Sequence, residues 1–220
     1  MPRAAAVLFD LDGTLADSAP DLAGAANEMR VGRGLAPLPY ETLRPHAGSG
    51  ARGMLGAAFE LKPGEPSYDD HREEFLARYQ ARLLRLSTVF EAVPQALQRL
   101  TAAKMPWGIV TNKALRLAIP LAQGLGLIDE GRVLVGGDST PHTKPHPAPL
   151  LEAARRLAVP PQDCIYVGDD ERDVQAALAA GMLPAVAAWG YLGPSADVTT
   201  WGASLVLSQP DALLQFLELA

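Results

Sequence analysis

The chain reads as an α/β protein, a parallel sheet carrying one helical insert, on three observations. Five short apolar runs, at 4–10, 107–111, 132–136, 164–168 and 183–187, have the continuous hydrophobicity of strands covered on both faces, with a weaker sixth at 203–207. Helix-like segments at 94–103, 115–125, 148–157, 173–180 and 212–219 lie between or after them, the alternation that winds a parallel sheet through right-handed crossovers. Only the interval from Leu15 to Thr88 breaks the rhythm: it shows no evident strand, and 20–33, 40–45, 52–59 and 68–86 look helical.

The first run ends in Asp10-Leu11-Asp12-Gly13-Thr14. Side chains two apart on a strand share a face, so Asp10 and Asp12 point the same way, and Gly13 frees the backbone to turn. The insert opens with Ser18 placed to cap a helix that has Pro20 in its first turn. Gly32, Gly34, Pro37 and Pro39 then break the chain, and His46 to Arg52 forms a glycine-rich turn leading into the next helix. Leaving and re-entering at one sheet edge, this segment can act as a lid. The expected division is 1–14 with 89–220 as a core and 15–88 as the insert.

The second strand ends in Thr111-Asn112-Lys113, offering a hydroxyl and an amide. After the third come Gly136-Gly137-Asp138 and a loop with Lys144-Pro145. The fourth ends in Gly168-Asp169-Asp170, with Asp173 four residues beyond Asp169, a spacing that puts two side chains together on a helix. Gly181 is placed to stop that helix. Trp189-Gly190-Tyr191 follows the fifth strand, as pocket wall or as core.

With 220 residues, 48% of them hydrophobic, the chain can bury a sizeable core. Its formal charge of −6 argues against non-specific binding to nucleic acid or anionic membrane. An acidic protein still binds an anionic substrate where a metal and a few Lys or Arg reverse the local field. Cys164 is the only cysteine, so no internal disulfide forms, and its place at a strand start reads as a packed thiol. Residues 1–9 are too short a leader for a signal peptide and no run is long enough to span a bilayer, so the expectation is a soluble cytoplasmic protein.

Ligands of open α/β sheets lie beyond the carboxyl ends of the strands. Two carboxylates at one apolar strand end repel and resist desolvation unless a cation, a shared proton or hydrogen bonds hold them. The pair suits a carboxylate nucleophile beside a carboxyl acid/base on a hard metal. Taken singly, each motif has a plainer reading: Asp-x-Asp-Gly also occurs in turns and calcium loops, Thr111 can cap a strand end, and Lys144 can be a solvated loop cation. Asp169 and Asp173 can be an acidic first turn favoured by a helix dipole. At successive ends of one sheet, the four converge on a single site.

These residues resemble the haloacid dehalogenase superfamily of aspartate-nucleophile phosphatases: DLDGT at 10–14, the Thr of VTN at 110–112, the Lys of KPHPAP at 144–149 and GDDERD at 168–173. The resemblance spans essentially the whole chain. It implies a Rossmann-like parallel sheet core with an inserted helical cap domain. The chain is most similar to the phosphoglycolate phosphatase group. GSGARGMLGAAFEL at 48–61, RYQ at 78–80, PWGIVTNK at 106–113 and WGY at 189–191 resemble bacterial N-acetylmuramic acid 6-phosphate phosphatases, which points to peptidoglycan recycling.

The resemblance implies a Mg²⁺-dependent phosphomonoesterase working on a small-molecule phosphate ester, N-acetylmuramate 6-phosphate or phosphoglycolate, as a monomer or homodimer. Asp10 would be the nucleophile and Asp12 the acid/base. The ion would sit on Asp10, the Asp12 backbone carbonyl and Asp169, with Asp173 holding its water or orienting Lys144. Lys144 would neutralise Asp10 and the transferring group. Thr111, the Asn112 N–H and Gly13 would contact phosphate, and Ser49 and Arg52 the leaving group. For Arg52 a solvated first-turn residue is the other reading. A phosphomutase on the same fold, or a non-catalytic phospho-receiver or binding module, remains an alternative; phosphate release without isomerisation or a partner kinase separates them.

Overall fold

A computed structural model describes residues 4–129, 131–193 and 196–219. The expected core range of 1–14 and 89–220 therefore includes 1–3, 130, 194–195 and 220, which lie outside the described residues. In chain order the main elements are β1 (Ala6–Phe9), β2 (Ala16–Asp17), α1 (Ala19–Gly32), α2 (Tyr40–Leu43), α3 (Gly50–Phe59), α4 (Tyr68–Ala81), β3 (Thr88–Val89) and α5 (Val93–Ala102). They continue with β4 (Trp107–Val110), α6 (Leu115–Gly124), β5 (Val133–Val135), α7 (Ala148–Leu157), β6 (Cys164–Gly168), α8 (Glu171–Ala180), β7 (Leu183–Ala187), β8 (Leu205–Leu207) and α9 (Pro210–Phe216).

Six strands form one parallel sheet in the order β5-β4-β1-β6-β7-β8. The strand bearing the Asp-x-Asp motif lies inside this sheet, in register with β4 on one side (Leu8 opposite Gly108) and β6 on the other (Leu8 opposite Tyr166). Its residues alternate between two apolar layers. Ala6 and Leu8 pack with Tyr166, Val110 and the inner faces of α7 and α8. Val7 and Phe9 pack with Ile109, Ile165 and residues of α5, α6 and α9. Cys164 is buried and its thiol approaches the Pro160 carbonyl, as a packed thiol should.

The second layer runs without a break into the insert, taking in Leu22, Met29, Leu55, Phe75 and Tyr79. Fully burying such side chains favours folding by ~1.5–3 kcal/mol each. The insert is thus welded to one face of the sheet. Its entry and exit pair as the short antiparallel ribbon β2–β3, with Asp17 opposite Thr88. The expectation of no strand between Leu15 and Thr88 is corrected here. Two-residue strands carry no period long enough to read, and only the return of the chain defines them.

Other boundaries also differ from expectation. The helix expected over 68–86 ends at Ala81, because the chain must turn back to β3. The helix expected from Asp173 begins at Glu171. Ser18 is the N-cap residue of α1, but its hydroxyl does not cap the helix. The free N–H groups of Ser18 and Ala19 instead donate to the Tyr191 hydroxyl, at 2.7 and 3.0 Å.

Beneath the ribbon, Asp21 of α1 is fully buried. It accepts from Leu86 N (2.9 Å), Ser87 N (2.8 Å) and Ser87 Oγ (2.8 Å), and pairs with Arg82 Nε at 3.3 Å. These contacts lock the start of the insert to its end. Asp21→Ala leaves the buried Leu86 and Ser87 donors without an acceptor and Arg82 with Glu28 alone, so unfolding in urea should show a loss of about 3–5 kcal/mol; a change within ±0.5 kcal/mol would show that the insert is anchored elsewhere.

Candidate active site

The site forms where β1, β4, β5 and β6 end. A cavity of about 390 Å³ opens there, lined from the core by Asp10, Asp12, Thr111, Asn112, Lys113, Lys144 and Asp173. From the insert, Ser49, Arg52, Arg72, Phe75 and Tyr79 complete the wall. Most of the expected site residues therefore share one space.

Lys144 organises the centre. Its ammonium is buried and lies 2.9 Å from Asp10 Oδ1 and 2.7 Å from Asp173 Oδ1. It also donates to the Val110 carbonyl (3.1 Å) and the Tyr166 hydroxyl (2.8 Å). Burial pushes the Lys144 pKa down, but the charges of Asp10 and Asp173 more than reverse this and hold it above its ordinary value. Asn112 fixes the loop that delivers it: Nδ2 donates to the Lys144 carbonyl and Oδ1 accepts from the Lys144 N–H, both at 2.9 Å. The Asn112 amide is thus spent on positioning.

Asp12 has a lysine of its own. Lys113 Nζ lies 2.9 and 2.8 Å from the two carboxylate oxygens, and Ser18 Oγ donates to Oδ1. Burial pushes Lys113 down, and the Asp12 charge returns it to above the ordinary lysine value. The two motif aspartates line one cavity but are held by cations from different strand ends.

Asp10, Asp169 and Asp173 bring carboxylate oxygens within 4.8 Å of one another. Asp10 titrates at about 6 instead of 3.8, because burial and the Asp173 charge outweigh the Lys144 attraction. Burial, reinforced by Asp10 and Asp173, pushes Asp169 well above its ordinary value. Asp169 accepts from Thr14 Oγ1 (3.0 Å) and the Tyr191 N–H (2.9 Å). Oxygen donors with excess negative charge fit a hard divalent cation. The Asp12 carboxylate is outside this cluster, leaving only its backbone carbonyl for the metal role expected of it.

Two expectations need correcting. Asp169 and Asp173 do not meet as i and i+4 on a helix: Asp169 precedes α8, and Asp173 is the third residue of a capping box whose N-cap is Asp170. Gly13 does not line the cavity, and its N–H donates to the Ala16 carbonyl at 2.9 Å instead of remaining free for phosphate. Its importance is steric, since a Cβ there would come within 2.1 Å of Asp169 Oδ2, and its φ is +86°. Gly190 is similarly confined, with a Cβ meeting Asp169 Cβ at 2.2 Å. Trp189-Gly190-Tyr191 is therefore a clasp behind Asp169 and not a pocket wall; the Trp189 indole donates to the Thr14 carbonyl at 3.0 Å.

Thr111 is buried against the cavity, with Oγ1 accepting from the Lys113 N–H at 3.1 Å. Ser49 and exposed Arg52 lie across from it on the insert. Arg172 of α8 reaches over, held by Asp170, and donates to the Gly48 carbonyl (2.9 Å) and Ser49 Oγ (3.5 Å). Sequence reasoning missed Lys113, Tyr166, Arg172, Arg72 and Tyr79 as site residues. Lys113 adjoins a motif and RYQ contains Tyr79, but nothing local shows where either side chain points.

Comparison with known proteins agrees with this geometry. A family profile described as haloacid dehalogenase-like hydrolase matches residues 4–181. An N-acetylmuramic acid 6-phosphate phosphatase from Pseudomonas aeruginosa is 39% identical over 218 residues, 99% of this chain and 96% of the relative. A phosphoglycolate phosphatase from Xylella fastidiosa is 46% identical over 211 residues, 94% of this chain and 90% of the relative. Among solved structures, a predicted phosphoglycolate phosphatase from Haemophilus somnus superposes with a TM-score of 0.84 at 26% identity, covering 98% of this chain and 99% of that one. No helix among the described residues is long and apolar enough to cross a membrane. The chain belongs to the haloacid dehalogenase-like hydrolases.

Proposed function

We propose that the protein is a Mg²⁺-dependent phosphomonoesterase that cleaves a carboxylated small-molecule phosphate through an aspartyl phosphate on Asp10. One observation carries the reading: Asp10, Asp12, Thr111 and Lys144 border one cavity, with Asp169 and Asp173 in carboxylate reach of Asp10. Phosphate monoesters repel nucleophiles, and their hydrolysis needs accelerations of up to ~10²¹. A single general acid supplies only ~10²–10⁴. Preset charge, positioning and a covalent detour must supply the rest.

In the proposed reaction an Asp10 oxygen attacks phosphorus and the ester P–O bond breaks. The Asp12 carboxyl gives its proton to the departing alkoxide. Asp12 then takes a proton from water as that water attacks phosphorus, and the Asp10–phosphorus bond breaks to free Asp10 and phosphate. Lys144 offsets the charge of Asp10 and the phosphoryl oxygens. Thr111 Oγ1 and the Asn112 N–H hold those oxygens, and Lys113 keeps Asp12 in place. A Mg²⁺ held by Asp10, the Asp12 carbonyl and Asp169 would neutralise phosphate charge and act as a Lewis acid.

The relatives' names point to two substrates, and the cavity helps choose. Its volume of about 390 Å³ falls in the ~300–1,000 Å³ range of pockets that enclose drug-sized ligands. A two-carbon glycolate would leave most of it to water, whereas a hexose with acyl and lactyl groups would fill it. Leu22, Phe75 and Leu76 offer apolar packing. Arg52 and Arg72 make no ion pair among the described residues and suit a carboxylate. The reading favours N-acetylmuramate 6-phosphate over phosphoglycolate.

A phosphate-release screen with Mg²⁺ on both compounds and common sugar phosphates tests the reading. The expected result is preferential turnover of N-acetylmuramate 6-phosphate with no phosphosugar isomer formed. Asp10→Asn should abolish release and Asp12→Asn should lower kcat by about 10²–10⁴. Substantial release by Asp10→Asn would remove the nucleophile assignment. Arg52→Ala and Arg72→Ala should each raise KM about tenfold on carboxylated substrates, the loss of a charge-assisted contact of ~1.5 kcal/mol.

Metal-free stability supplies a separate test. Because Asp10 titrates at about 6 when folded and 3.8 ordinarily, the folded state binds the proton more tightly. Its contribution to stability is therefore greatest below about pH 4 and falls as pH rises through about 6. Relative to Asp10→Asn, the wild type should lose on the order of 3 kcal/mol between pH 4 and pH 7 in EDTA. Millimolar Mg²⁺ should restore it. A flat difference would show that the Asp10 proton is not linked to folding.

A further inference from the structure

Tyr79 carries a feature of the cavity that the proposed reaction leaves unused. It sits on α4 at 1% exposure, and its hydroxyl has no hydrogen-bond partner among the described residues. Phe75 stacks behind it, with ring centroids 6.3 Å apart and planes 12° apart. Lys113 Nζ lies 4.7 Å from the ring centroid, and Ser18 also neighbours the hydroxyl. Both of these groups already bond Asp12. The ammonium only donates, and the Ser18 hydroxyl, whose proton goes to Asp12, makes no hydrogen bond with the phenol.

A buried hydroxyl without a partner costs about 1–3 kcal/mol, and Phe would line the same wall without that cost. Burial also holds the phenol above its ordinary pKa, so it is a neutral donor. Among the described residues the phenol has no acceptor, and the cavity it lines is where a ligand would bring one. The hydroxyl lies beside the two groups that bond Asp12, which is where the scissile ester oxygen must come if Asp12 is to protonate it. A leaving group seated against Asp12 therefore passes beside Tyr79, which lines the same cavity.

We propose that Tyr79 is a specificity-determining residue that donates a hydrogen bond to a hydroxyl or carboxylate oxygen on the leaving group, selecting oxygenated alkyl phosphates over bare aryl phosphates. This rests on the acid role of Asp12 given above. Tyr79 takes part in recognition and transfers no proton.

The test is Tyr79→Phe, assayed on N-acetylmuramate 6-phosphate and on phenyl phosphate, whose leaving group has no oxygen beyond the ester. The expected result is a fall of about tenfold or more in the kcat/KM ratio between the two, with thermal stability equal to or above wild type. In the Asp10→Asn background, where substrate is held without turnover, the Kd ratio should shift the same way and reads recognition independently of catalysis. An unchanged ratio, whether both substrates suffer equally or neither does, overturns the inference, as does a lowered Tm with equal losses. Failure of the underlying reading looks different: the wild type then releases no phosphate from either compound, or Asp12→Asn keeps wild-type turnover and removes the acid role, while the Kd ratio still reports on Tyr79.

Discussion

The site depends on one buried ammonium. Lys144 is the only cation within hydrogen-bond distance of Asp10 and Asp173 among the described residues, in a place where three carboxylates crowd together. Removing charges from water is costly unless partners and hydrogen bonds replace the solvent. Lys144 meets that requirement with four contacts, two of them to neutral groups, the Val110 carbonyl and the Tyr166 hydroxyl. Asn112 then grips the backbone of the same lysine from the end of β4. The chain thus spends residues from three strand ends on locating one nitrogen atom. Lys113 does for Asp12 what Lys144 does for Asp10, and this division gives two carboxylates in one motif different surroundings.

The insert reaches this centre through three kinds of contact. Its apolar residues continue the layer that covers Val7 and Phe9. The Tyr191 hydroxyl closes the N-terminus of α1 from the core side. Arg172 crosses to Gly48 and Ser49 while Asp170 holds its guanidinium. The first is non-directional and sets proximity. The other two are directional and set orientation, placing Arg52, Arg72 and Tyr79 over the strand ends. Excluding water there strengthens every charge interaction below.

The legible parts of the sequence are those with a period or a charge that stands out locally. The strands of the sheet are apolar runs, and the acidic and basic residues that meet at their ends interrupt or follow those runs. Asp10, Lys144, Asp169 and Asp173 could be singled out for that reason. The unread parts depend on distant geometry. β2 and β3 have two residues each and exist only because the chain returns. Asn112 suggested a ligand contact, yet its amide is taken by a backbone 32 positions away. Tyr166 looks like any strand aromatic until its hydroxyl is found on Lys144. Gly13 is placed at the phosphate by the family resemblance; its packing against Asp169 appears only in three dimensions.

Relatives with different named substrates on a shared fold imply that catalysis and choice of substrate are separable, and the layout shows how. The charged centre hangs from the sheet and is balanced within it. The insert side of the cavity carries Arg52 and Arg72, which are exposed, make no ion pair among the described residues and can change without disturbing that balance. Tyr79 is the exception, since it touches the Lys113 that holds Asp12. A change there alters the surroundings of the proposed acid as well as the pocket. On the proposed reading, selectivity can drift at the arginines but is coupled to proton transfer at the tyrosine, because the tyrosine packs on the cation that holds Asp12.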